Sequence, residues 1–252
     1  MKREIRRHVA AFTRIELGVV ISAIAVVGVL VAMLLPGMAR PKEHINWIKC
    51  IPNLKEIGMA YRFWAEDNGK RNPAEQAAAN GGWGDFLTNA DEGAICWTNY
   101  AILQNELGQD PRVVICPQDE RAASTNFSSN FDNTHVSYFV GVSANDEFPK
   151  SIQGGDRNLG SGRLPDSDYG YSPKSGKGND VAVPVSGPVS WSLKMHSAGY
   201  TAGAGNILLG DGSVQQVSSA IFRTIWLPNA EPTTNWPAGH LPSSPSIRLV
   251  FP

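Results

Sequence analysis

The stretch Ala11-Phe12-Thr13-Arg14-Ile15-Glu16-Leu17, with the uncharged run that follows through residues 17–35, decides how the rest of the chain is read. The nineteen residues of that run would cover about 29 Å as a helix, close to the ~30 Å hydrocarbon core of a bilayer, so a membrane span is expected. In front of it Lys2, Arg3, Arg6 and Arg7 face Glu4 alone. The positive-inside tendency then keeps the residues before Ala11 in the cytoplasm and sends the chain beyond the span outward. Glu16 stands at the entrance to the apolar run. A carboxylate at the centre of a span costs about 2.5–3.5 kcal/mol, so a partner is expected for it.

A basic leader ending at a small residue, then Phe-Thr-x-x-Glu and an apolar helix, resembles the N-terminal signature of type IV prepilins and type II secretion pseudopilins. The resemblance implies a cut between Ala11 and Phe12 by a prepilin peptidase and methylation of the new Phe12 amine. It also implies that Glu16 is the assembly carboxylate, meeting the amine of a neighbouring subunit in a fibre. Ala11 stands where that family usually has Gly, Arg14 where an apolar residue is common and Gly18 where Leu is common. Ala11 is small enough for cleavage, and Arg14 can snorkel to the headgroups from the first helical turn.

The resemblance extends beyond the leader. Cys50-Ile51-Pro52-Asn53-Leu54-Lys55-Glu56-Ile57-Gly58 is similar to the Cys-x-x-Asn-Leu-Lys-x-Ile-Gly segment of a large bacterial group of pilin-like proteins with β-rich heads. Residues 114–119, 154–158 and His196 followed by Asp211-Gly212 look like head motifs of the same group, the last with a longer gap than usual. The partners implied are the prepilin peptidase, other pseudopilin subunits, an inner-membrane secretion platform and the membrane. The implied location is the inner membrane, single-pass, with a periplasmic head.

Two plainer readings of the N-terminus compete. An ordinary secretory signal has about 7–15 apolar residues, fewer than here, and leaves Glu16 beside Phe12 unexplained. A single-pass anchor with an incidental Glu is the other.

The formal net charge is −1 and no long block of like charge appears, which argues against a nucleic-acid surface built on phosphate neutralisation. The residues beyond the span suffice for one domain with its own core. Three cysteines, Cys50, Cys96 and Cys116, lack the paired spacing of a zinc site. An outward-facing compartment permits a bridge, for which Cys50 with Cys116 is the expected pair. Three buried small apolar residues is the alternative.

After Pro36-Gly37, apolar residues Ile48, Ile51, Leu54, Ile57, Tyr61 and Trp64 recur at helical spacing, a stripe that needs a sheet to cover. Pro52 inside the pattern predicts a helix restarting near Ile51, and Asp67-Asn68-Gly69 predicts its end. From Lys70 the pattern is that of β structure with long loops. A short helix is expected over 101–107, strands over 112–116 and 135–140, and a hairpin whose arms flank Gly210-Asp211-Gly212. Residues 161–187, rich in Gly, Ser, Pro and Asp, read as a long surface loop or insertion, and residues 226–252 as an extended wrap. The expected fold class is therefore α+β and pilin-like. A leader (1–11) precedes a transmembrane helix (12–36), whose amphipathic extension (37–69) packs on an antiparallel β-sheet head (70–252).

No HExxH or comparable ligand pair on a helix appears among His44, His135, His196 and His240, and no G-x-S-x-G elbow is present. No catalytic residue and no cofactor are expected, except that the resemblance allows calcium in a head loop. Asp166, Asp168 and Asp180 are the oxygen donors available there, although a calcium site wants six to eight oxygens. Asp156-Arg157 reads as a local ion pair. Trp83, Trp97, Trp191, Trp226 and Trp236 are expected to pack the head, with an exposed aromatic strip as the alternative. The expected function is a structural fibre subunit. Its alternatives are a membrane-tethered module that binds a glycan or polymer without polymerising, and a tethered hydrolase using His196 or His135.

Overall fold

The computed structural model describes residues 13–38, 41–88, 95–144, 146–197, 203–234, 236 and 241–252. The chain divides into two units, residues 1–44 and 45–252. The first holds helix α1 (Arg14–Met38), which continues through Pro36 rather than stopping there. Its Arg14–Val31 window has a mean hydropathy of 2.2 and none of it is buried, so one helix is long and apolar enough to cross a membrane.

The second unit is built on a helix and a sheet. Helix α2 (Pro41–Asp67) opens on Pro41, where a missing N–H costs nothing, and then runs unbroken through Pro52. The expected restart at Ile51 does not occur. Cys50, Leu54, Ile57, Tyr61 and Trp64 are all buried, and only one continuous helical phase keeps them on the same side, while the Pro52 ring faces solvent. The helix closes as Lys70 N–H donates to Ala65 O at 2.7 Å over Gly69 at φ +70°.

Strands β1 (Tyr138–Gly141), β2 (Ile152–Asp156), β4 (Asn179–Pro184), β6 (Ala204–Leu209), β7 (Val214–Ser218) and β8 (Ser246–Phe251) form one antiparallel sheet. Their spatial order is β4-β8-β1-β2-β6-β7. Strands β3 (Leu159–Ser161) and β5 (Val189–Trp191) make a separate two-stranded ladder. Alternation along the strands divides the core in two. Tyr138, Val140, Leu208 and Val250 join the α2 stripe on one face. Phe139, Ile207, Leu209, Leu249 and Phe251 face the other way, under Val189 and Trp191 of β5 and Phe222. The molecule is thus α+β with an antiparallel sheet covered on both faces.

The expected hairpin forms, with Gly212 at φ +74° and its N–H donating to Leu209 O at 2.8 Å. Five other expectations are corrected. Residues 112–116 are not a strand: Pro111–Val114 is a 3-10 turn, because Asp110 accepts the Arg112 N–H at 3.0 Å and Pro111 sets its first φ. The short helix is α3 (Cys96–Ile102), not 101–107. The strand expected from His135 begins at Tyr138, since Asp132 caps a 3-10 turn, Asn133–His135. Finally, the loop 161–187 contains edge strand β4, and the tail supplies β8, which lies between β4 and β1 instead of wrapping the head.

Candidate functional site

The two units carry one candidate each. At the start of α1, Thr13 and Glu16 form a capping box. Thr13 N–H and Thr13 Oγ1–H both donate to Glu16 Oε2, at 2.8 and 2.9 Å, and Glu16 N–H returns a bond to Thr13 Oγ1 at 3.3 Å. Oε1 accepts no hydrogen bond among the described residues. The Thr13-x-x-Glu16 spacing is the sequence signature of this box, so Glu16 has a local partner at the helix start. The processing residues Ala11 and Phe12 lie outside the described residues. Among the described residues nothing stands within 4 Å of where a Cβ on Gly18 or Gly28 would be, so this face of α1 is open to close approach.

In the head, five segments that are far apart in sequence meet in one buried polar node. Cys50 of α2 and Cys116 form a disulfide, with Cα atoms 5.4 Å apart. His196, in the 3-10 turn Met195–Ser197 after β5, sets its Nε2 3.2 Å from Cys116 Sγ and 3.4 Å from Asp156 Oδ2. The same Oδ2 accepts the Asn206 N–H at 2.6 Å and Asn206 Nδ2–H at 3.1 Å. Asp156 and Arg157 are not a local ion pair. Successive strand residues point to opposite sides, so Asp156 turns to His196 while Arg157 reaches Asp119 through two bonds of 2.6 and 2.7 Å. The Arg157 guanidinium also lies over the Tyr169 ring, 3.4 Å from its centroid. Burial pushes the Asp119 carboxyl up, but the Arg157 hydrogen bonds and charge outweigh it and hold the group below its ordinary value. Asn158 completes the node, donating from Nδ2 to Lys194 O at 3.0 Å.

Sequence reading singled out the segments 114–119 and 154–158 and His196, but missed Asp119 as a site residue. Only the long-range partner of Arg157 identifies it. Asp211-Gly212 serves differently from His196: Arg62 of α2 donates to Asp211 O, and Gly212 packs on Gly58, docking the hairpin turn on the helix. The calcium candidates do not converge. Asp180 on β4 holds the Arg248 guanidinium, Asp168 pairs with Lys174 at 3.3 Å, and Asp166 accepts the Asp168 N–H at 2.9 Å. His135 pairs with Asp132 at 3.0 Å on the surface, and His240 lies outside the described residues. Trp83 and Trp191 are fully buried, which rules them out of an exposed strip. Among the described residues, one group of His, Cys and acidic side chains is close enough to share an ion: Cys50, Cys116 and His196.

Comparison of the chain with protein-family models, with curated proteins and with solved structures finds no match in any of the three.

Proposed function

We propose that the chain is a prepilin-like structural subunit. It is cut and methylated at Phe12, held in the inner membrane by α1 with its head in the periplasm, and polymerised into a type II secretion pseudopilus or a type IV pilus-like fibre. The observation that carries this reading is the surface of α1, apolar and exposed along its Arg14–Val31 window, with one carboxylate in its first turn. Such a surface needs lipid or other copies of itself, and Gly18, Ser22, Ala25 and Gly28 let helices approach closely. Glu16 spends one oxygen on its own helix start and keeps Oε1 for a second donor, here the Phe12 amine of the next subunit.

Replacing Glu16 by Ala should leave membrane insertion intact and reduce fibre formation at least tenfold (about 1.4 kcal/mol), scored by shearing and by cross-linking in the membrane. N-terminal mass spectrometry of the membrane-extracted protein should show methylated Phe12. Normal fibres from the Ala variant, or an intact leader, would sink the proposal.

A second reading, a tethered binding module for a glycan or polymer, has one observation in its favour. A cleft of about 500 Å³ is lined by Trp236, Phe148, Arg71, Arg248, Glu75 and Glu231 among others, a mix of aromatic and charged groups suited to a polar ligand. An uncut leader together with saturable glycan binding lost in Trp236→Ala would favour it.

A further inference from the structure

We infer that Cys50, Cys116 and His196 form a redox-gated site for a thiophilic divalent cation of the zinc class, closed while the disulfide stands and opened by its reduction. The donor atoms of the three residues lie within 4.8 Å of one another, and all three residues are buried. They come from α2, from the loop after the Pro111–Val114 turn and from the turn after β5, so the folded head assembles them. In a tetrahedral site with metal–sulfur bonds of about 2.3 Å and metal–nitrogen or metal–oxygen bonds of about 2.0–2.2 Å, neighbouring ligand atoms stand roughly 3.3–3.8 Å apart. His196 Nε2 is already 3.2 Å from Cys116 Sγ, so one edge of that tetrahedron is close to formed. Reduction frees the two sulfur atoms to separate to the distance such a site needs. Asp156 lies outside that three-residue group but beside His196, its Oδ2 3.4 Å from Nε2, so it supplies a buried negative charge next to the cation while the fourth position is left to water. Two thiolates and an imidazole select zinc-like ions over calcium or magnesium.

The chemistry balances with an external dithiol as reductant. Its two electrons break the Cys50–Cys116 bond, it closes to its own disulfide, and its two protons pass to the two released thiols. Cation binding then expels those two protons as the thiolates coordinate. Reoxidation reverses both steps and ejects the ion, so bridge and metal exclude each other.

The test uses the full chain in detergent. The bridge is reduced with a water-soluble phosphine, which takes up the oxygen of water as its oxide while leaving two thiols; the phosphine is removed without air and cobalt(II) is added. Expected are one cobalt per chain, the intense visible bands of tetrahedral thiolate coordination, displacement by zinc, and no such bands from the oxidised chain. His196→Ala should weaken binding by about 100-fold, since losing even an outer partner of a ligand costs 10–100-fold. Asp156→Asn should weaken it while the sulfur-to-cobalt charge-transfer band remains. The oxidised and reduced states are the same wild-type chain, so the comparison does not depend on any variant folding. A reduced, folded chain that binds no cobalt overturns the inference. So does affinity unchanged in His196→Ala, or a head that unfolds on reduction with cobalt present.

Discussion

Arg157 shows what a single buried charge demands of its neighbours. Its guanidinium has lost its water, and three groups replace it: the Asp119 carboxylate through two bonds, the Tyr169 ring and Ser172 Oγ at 3.4 Å. Removing one partner leaves the other charged in a dry site, so Asp119→Ala should cost about 3–5 kcal/mol in urea unfolding. Asp119→Leu combined with Arg157→Met should recover most of that loss, because an apolar pair of similar volume needs no hydration. A double variant no more stable than Asp119→Ala would show that the pair is worth more than its desolvation. The same residue sets an acid dependence. The folded carboxyl titrates below its ordinary value of 3.8, so its stabilisation is complete above that pH and is lost as pH falls through the lowered value. Asp119→Asn should remove that slope, read as the urea midpoint against pH on the acid side of 3.8.

At the scale of elements, close approach is purchased with glycine. On β6, a Cβ on Gly205 would stand 2.6 Å from the Trp191 ring, which is fully buried against Phe222. The ring cannot swing away. Gly205→Ala should therefore cost about 1–3 kcal/mol, seen as a lowered thermal midpoint with an unchanged fold by circular dichroism. Local chemistry explains which elements could be read in advance. The α2 stripe and the Gly210-Asp211-Gly212 hairpin announce themselves within a dozen residues, by a 3.6-residue period and by a turn that needs positive φ. The strand expected over 112–116 failed because Val113 and Val114 carry β propensity while Asp110 and Pro111 fix a turn, and the turn won. Strands β4 and β8 were hidden for a different reason. Their pairing, Asp180 opposite Val250 and Val181 opposite Leu249, joins segments with no local signal linking them. The buried node was illegible on the same ground: Asp119 and Arg157, or Cys116 and His196, meet only once the sheet exists.

For the whole molecule, the division near residue 44 predicts that the head stands alone. Among the described residues, the first buried position of its core is Cys50, and both apolar clusters are assembled from positions 50 to 251. Both also use the same strands, Tyr138 and Phe139 of β1 pointing to opposite clusters, so neither can melt while the other persists. The Cys50–Cys116 bridge spans 66 positions and ties α2 to the loop after the Pro111–Val114 turn, within one apolar cluster. Closing a loop of that length in the unfolded chain is worth about 4 kcal/mol on the chain-entropy account. A chain beginning at Ile45 should therefore be soluble without detergent and unfold in one transition, with the urea midpoint of the full-length protein. Its Cys50→Ala, Cys116→Ala form should unfold at lower urea by an amount equivalent to about 2–4 kcal/mol. Two separate transitions in the bridged head would mean that its two clusters are independent. A truncated head that aggregates while the full chain in detergent stays folded would place part of the core in the first 44 residues.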